Sequence, residues 1–91
     1  MTLHIIQKSP FSSSALDDCL KTIGPDDSIL LMNDGVYACK HPILNDLSNC
    51  IFALKEDLMA RGLAPINNIQ SLEYSGFVAE CCNHQNTISW F

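Results

Sequence analysis

The stretch Ser28-Ile29-Leu30-Leu31-Met32-Asn33-Asp34-Gly35-Val36-Tyr37-Ala38 joins the most apolar run of the chain to its best turn signal. Ile29 through Met32 are continuously apolar rather than alternating, the pattern of a strand covered on both faces, as at the centre of a small α/β sheet. Asn33-Asp34-Gly35 follows at its carboxyl end. Gly35 can take a positive φ that a residue with a Cβ resists, so the chain can turn sharply there. Asp34 is placed to cap a short helix by accepting a backbone N–H near its start. In open α/β sheets this end of a central strand is where ligands and partner groups sit. Asn33, Asp34, Gly35 and Tyr37 are therefore the first candidate site. An Asp-Gly hairpin is the plainer alternative, but a hairpin wants alternating arms, and Cys39-Lys40-His41-Pro42 does not read as a returning strand.

Upstream, Leu3 to Gln7 reads as a first strand that Pro10 must end, since proline cannot donate to a ladder. Ser12, Ser13 and Ser14 offer N-caps, and Ser14 with Asp17 makes a partial capping box. Ala15, Leu16, Cys19, Leu20 and Ile23 share one helical face, with Gly24-Pro25 as the stop. Downstream, Ile43, Leu44 and Leu47 suggest a short helix or turn, and Cys50 to Leu54 is a second buried strand by the same continuity. Glu56 and Asp57 then open a helix that Arg61 closes and Gly62 and Pro65 terminate, with Asp57 and Arg61 as an i,i+4 pair. Ile69 to Tyr74 reads as a shorter strand, and Ser75 as the cap of a last helix in which Phe77, Val78, Cys81 and Cys82 share a face. Thr87 to Phe91 alternates and ends in aromatics, a strand for an edge or interface. Strand and helix in alternation predict α/β architecture: one domain over residues 1–91, with a mostly parallel sheet of about five strands and helices on both faces.

At 91 residues with 47% hydrophobic side chains, the chain has more apolar surface than so small a domain easily hides, which predicts association with other subunits. The net charge is −5, and the five cations Lys8, Lys21, Lys40, Lys55 and Arg61 are scattered. A surface that grips nucleic acid needs clustered cations to displace counterions from phosphates, so no direct nucleic-acid binding is expected. No apolar run approaches the roughly 20 residues that cross a bilayer, and the amino terminus lacks a charged region followed by a long apolar core. No membrane association is expected, and a cytoplasmic location is the default. Five cysteines without a repeating spacing fit a reducing compartment better than a disulfide framework.

Among the cysteines, Cys19 is the one to weigh as a persulfide carrier. A reactive thiolate wants nearby cations or a helix amino terminus. Cys19 instead lies inside a helix, after Asp17 and Asp18 and on the apolar face, so a core role is the stronger reading and no catalytic residue is assigned. Cys81 and His84 stand i,i+3, but zinc normally takes four ligands from paired, turn-borne motifs, and no second pair exists; neither metal nor cofactor is expected. The segment after the first strand, Lys8-Ser9-Pro10-Phe11, lacks the glycines of a phosphate binder, the acids of a phosphoacceptor domain and the Cys-x-x-Cys of a thioredoxin-like protein.

Three segments at consistent spacing, Lys8-Ser9-Pro10-Phe11, Asn33-Asp34-Gly35-Val36-Tyr37-Ala38 and Glu56-Asp57-Leu58-Met59-Ala60-Arg61-Gly62-Leu63, resemble the successive signatures of the TusB/DsrH family, and the similarity runs from Leu3 to Trp90. The resemblance implies a DsrE-like fold and a place in a cytoplasmic hetero-oligomer with TusC-like and TusD-like subunits, or DsrF and DsrE. In the tRNA branch such a complex relays persulfide sulfur from a carrier, TusA, through TusE toward 2-thiolation of the wobble uridine; in the sulfur-oxidising branch the corresponding partner is DsrC. It also implies that the main sulfur-carrying cysteine belongs to the TusD or DsrE subunit. Cys19 matches a cysteine of DsrH-type members that some TusB-type members lack. Asn33 stands where Glu or Gln is common in the family, which weighs against a role there that needs a carboxylate.

The expected function is thus a non-catalytic subunit of a TusBCD-type sulfur-relay complex. Its alternatives are a DsrH-like subunit in sulfur oxidation, a sulfurtransferase carrying persulfide on Cys19, and an unrelated homo-oligomeric module with a ligand at the Asn33 to Tyr37 loop.

Overall fold

The computed structural model describes residues 1–64 and 68–90. The strands are β1 (Thr2–Ile6), β2 (Ser28–Leu31), β3 (Ile51–Leu54), β4 (Ile69–Leu72) and β5 (Asn86–Trp90), and the helices are α1 (Ala15–Thr22), α2 (Lys55–Ala60) and α3 (Tyr74–Asn83). Two 3₁₀ segments, Asn33–Lys40 and Pro42–Asp46, bridge β2 and β3. The sheet order is β4-β3-β2-β1-β5, and every pairing is parallel, beyond the mostly parallel sheet expected.

That order explains where the helices lie. From β1 to β4 the chain steps across the sheet in one direction, then returns past β1 to lay down β5. Right-handed crossovers that run in opposite directions must leave their helices on opposite faces. Accordingly α1, α2 and the 3₁₀ segments pack on one face through Leu16, Cys19, Val36, Ala38, Leu44 and Leu58 against Ile6, Ile29, Leu31, Ile51 and Ala53. Among the described residues α3 is the helix that serves the other, where Phe77 and Cys81 lie against Leu3, Ile5, Leu30 and Phe52. The continuous runs of β2 and β3 are buried throughout, as their lack of alternation predicts.

Several local expectations are corrected. Ser14 stands at the N-cap of α1 without a capping side-chain bond; its hydroxyl donates to Asp18 Oδ2 at 3.0 Å, while Ser13 Oγ accepts the Ala15 N–H. Glu73, not Ser75, precedes α3, and no side chain caps it. On α3, Phe77 and Cys81 face the sheet, whereas Val78 and Cys82 are exposed, so the shared face is narrower than the sequence pattern suggested. Pro65, expected beyond the end of α2, and Phe91, expected in the last strand, lie outside the described residues.

Candidate functional site

At the carboxyl end of β2 the chain turns as foreseen, but by a different device. The positive φ belongs to Asn33, at 50°, and not to Gly35. Asparagine tolerates this left-handed conformation better than most residues, and the Asn33 N–H is held by Asp57 Oδ2 at 2.8 Å. Gly35 is required for close approach: a Cβ built there would sit 2.7 Å from the Ile6 carbonyl carbon and closer still to its oxygen. The following 3₁₀ segment can therefore press against the end of β1. Asp34 does not cap that segment; its Oδ1 accepts from Arg61 Nε at 3.2 Å and Nη2 at 2.9 Å. Arg61 also lies 5.9 Å over the Tyr37 ring and 3.6 Å from Asp57.

The four loop residues are thus divided. Asp34 and Tyr37 gather around Arg61, Gly35 is buried beneath Ile6, and Asn33 lies beside Asp57. There it joins a cleft of about 190 Å³ lined by Met32, Leu54, Glu56, Asp57, Leu72 and Tyr74. Arg61 is the member that sequence reading undervalued. Its i,i+4 spacing drew attention to Asp57, while its closer partner, Asp34, is 27 residues away and no spacing rule connects them. Leu72 and Tyr74 joined the cleft only because β4 pairs beside β3.

Cys19 has no exposed surface. Burial, seconded by the Asp27 carboxylate, pushes its thiol up to about 12, so the thiolate is suppressed at neutral pH. Burial likewise raises the thiols of Cys39 and Cys81, while Cys50 and Cys82 are exposed. His84 engages both ring nitrogens within the protein. Nδ1 meets the Glu80 carbonyl at 2.7 Å and must donate to it, and Nε2 pairs with the Ser28 hydroxyl at 3.1 Å, accepting from it when the ring is neutral. His41 Nδ1 accepts the Ile43 N–H at the start of the second 3₁₀ segment. Among the described residues no group of three or more His, Cys, Asp or Glu side chains is placed to hold a metal ion. No described helix is long and apolar enough to cross a membrane.

A five-stranded parallel sheet, helices divided unequally between its faces and a braced loop after its central strand define a small single-sheet α/β protein. The same fold occurs in the YchN protein of E. coli, with a TM-score of 0.75 at 16% identity over 98% of both chains. It occurs also in protein Tm0979 of Thermotoga maritima, with a TM-score of 0.66 at 22% identity over 93% of this chain and 95% of that one. The chain belongs to the DsrH family: the family model described as "DsrH like protein" matches residues 8–87. Curated relatives called "Protein TusB" include one from Escherichia coli O81 (strain ED1a) and one from Enterobacter sp. (strain 638), each 34% identical over 97% of this chain and 99% of the relative.

Proposed function

We propose that this chain is a non-catalytic subunit of a TusBCD-type sulfur-relay complex, supporting persulfide transfer toward 2-thiolation of the tRNA wobble uridine. Its partners in this reading are TusC-like and TusD-like subunits, with a TusE-like protein reached through the complex, and its compartment is the cytoplasm. The chain does not itself touch tRNA. Kinship with proteins called TusB over nearly the whole length supports the tRNA branch. The observation that carries the non-catalytic role is the sealed Cys19 thiol. A sulfur carrier must present a thiolate to two partners in turn, and a fully buried, protonated thiol does neither.

The loop of Asn33, Asp34, Gly35 and Tyr37 is the contact region of this reading. It stands at the carboxyl edge of the sheet, braced by Arg61 and Asp57, with Tyr37 exposed. A rigid, partly aromatic projection meets a partner at little ordering cost. Coexpression with the two sister subunits should yield one stable complex, and Cys19→Ser should leave cellular tRNA thiolation at its normal level. Assembly of the sisters without this chain would defeat the reading, as would loss of thiolation in the serine variant of an intact complex.

A further inference from the structure

The sheet carries an undefended strand. β5 is an edge, its side chains Asn86 to Ser89 are exposed, and among the described residues no strand pairs with its outer side. Edges of this kind are normally blunted by a lysine, a proline or a bulge. β5 has none of them: Asn86–Trp90 holds no charged residue and no proline, and the register from Thr2↔Asn86 to Ile6↔Trp90 is unbroken.

Parallel strands are normally covered on both faces; α1 contacts β5 and Trp90 packs against the core, yet the side chains from Asn86 to Ser89 stay exposed. Thr87 and Ser89 lie beside Leu3 and Ile5 on the α3 side of the sheet. There the buried contacts of α3, through Phe77 and Cys81, are with β1, β2 and β3. On the other face Ile88, beside His4, is 43% exposed.

We propose that β5 pairs antiparallel with the β5 of a second copy of this chain about a two-fold axis at Ile88, continuing the two sheets into one. A symmetric contact must be self-complementary. About Ile88 this strand is: Thr87 falls opposite Ser89 of the second copy, a hydrogen-bonding cross-strand pair, and no like charges meet. Five residues of edge alone fall short of the roughly 1,200 Å² of a standard interface, so the dimer dissociates on dilution. This inference does not rest on the sulfur-relay reading and is tested with the chain alone.

Sedimentation of the purified chain should show a mass rising from one copy to two as concentration increases to about 1 mM, the weak end of specific affinities. Thr87→Lys with Ser89→Lys sets lysine against lysine and should hold the monomer, as should the matching double glutamate variant. Mixing the two variants sets lysine against glutamate and should restore the pair, because the antiparallel register puts residue 87 against 89. Hydrogen exchange of the unaltered chain should show β5 amides gaining protection with concentration while those of β4 do not. A monomeric mass throughout, lysine variants that pair as the unaltered chain does, failure of the mixture of folded variants to pair, or concentration-independent exchange in β5 would each overturn the proposal.

Discussion

The Trp90 indole donates Nε1–H to His4 Nδ1 at 3.0 Å, tying the last described residue to the third position of the first strand. An indole nitrogen only donates, so Nδ1 must be the bare nitrogen and the imidazole proton sits on Nε2, from which it is given to Asp27 Oδ2 at 2.9 Å. The ring is only 3% exposed, and both its nitrogens are satisfied. Nitrogen chemical shifts should report the Nε2–H tautomer; an Nδ1–H tautomer would contradict the arrangement. Trp90→Phe leaves Nδ1 buried and unpaired, and should cost about 1–3 kcal/mol in chemical denaturation.

Asp27 gathers more than His4. Its Oδ1 accepts the Thr2 N–H at 3.0 Å and its Oδ2 also accepts the Gly24 N–H at 3.0 Å, so one carboxylate joins the start of β1 to the turn before β2. The His4 hydrogen bond first, then those from Gly24 and Thr2, hold its pKa down at about 2 against an ordinary 3.8. A carboxyl group depressed on folding contributes stability that is full above its unfolded pKa and is lost as pH falls through the folded one. Stability of the native chain should therefore decline between about pH 4 and pH 2. Asp27→Asn, which keeps one acceptor oxygen, should flatten that decline, and an unchanged acid profile would remove Asp27 from the account.

Gly35 and Gly62 provide a comparison. Gly62 has a φ of +65° with open space around it, so Gly62→Ala meets only backbone strain, about 1–2 kcal/mol. Gly35→Ala drives a methyl group into the Ile6 carbonyl and must displace β1 or the 3₁₀ segment, an overpacking cost of at least about 1–3 kcal/mol. Gly35→Ala should lower the melting temperature more than Gly62→Ala does; the reverse order would mean that the segment shifts freely.

The cysteines should separate by access. With iodoacetamide under native conditions, Cys50 and Cys82 should be modified first and half-buried Cys81 later, while Cys19 and Cys39 wait for unfolding. Peptide mass spectrometry reads the order directly. Early labelling of Cys19 would contradict both its burial and the non-catalytic role proposed for the chain.

Arg61 is the bridge between the 3₁₀ segment and α2, yet Asp34 is 61% exposed. Surface pairs of this sort are worth about 0–1 kcal/mol. Arg61→Met should accordingly leave stability nearly unchanged, but loosen the loop and weaken any assembly that uses it. Calorimetry alongside copurification of sister subunits distinguishes the two effects, and a large loss of stability would reassign Arg61 to the core of the fold.

Elements were legible in the sequence where the cause is local. Continuous apolarity from Ile29 to Leu31 and from Ile51 to Ala53 specifies strands covered twice, and the spacing of Ala15, Leu16 and Cys19 specifies a helix with one buried face. Three motifs at steady intervals also sufficed to indicate the family that the full-length comparison establishes. The tertiary structure alone decided which side chains meet. Nothing near Asp34 in the sequence points to Arg61, nothing near His4 to Trp90, and the need for glycine at position 35 comes from the Ile6 carbonyl, not from its own turn. Periodicity reports which way a side chain faces within its own element. The partner across a parallel sheet is set by strand order, which depends on how crossovers of fixed hand stack together, and no single segment contains that information.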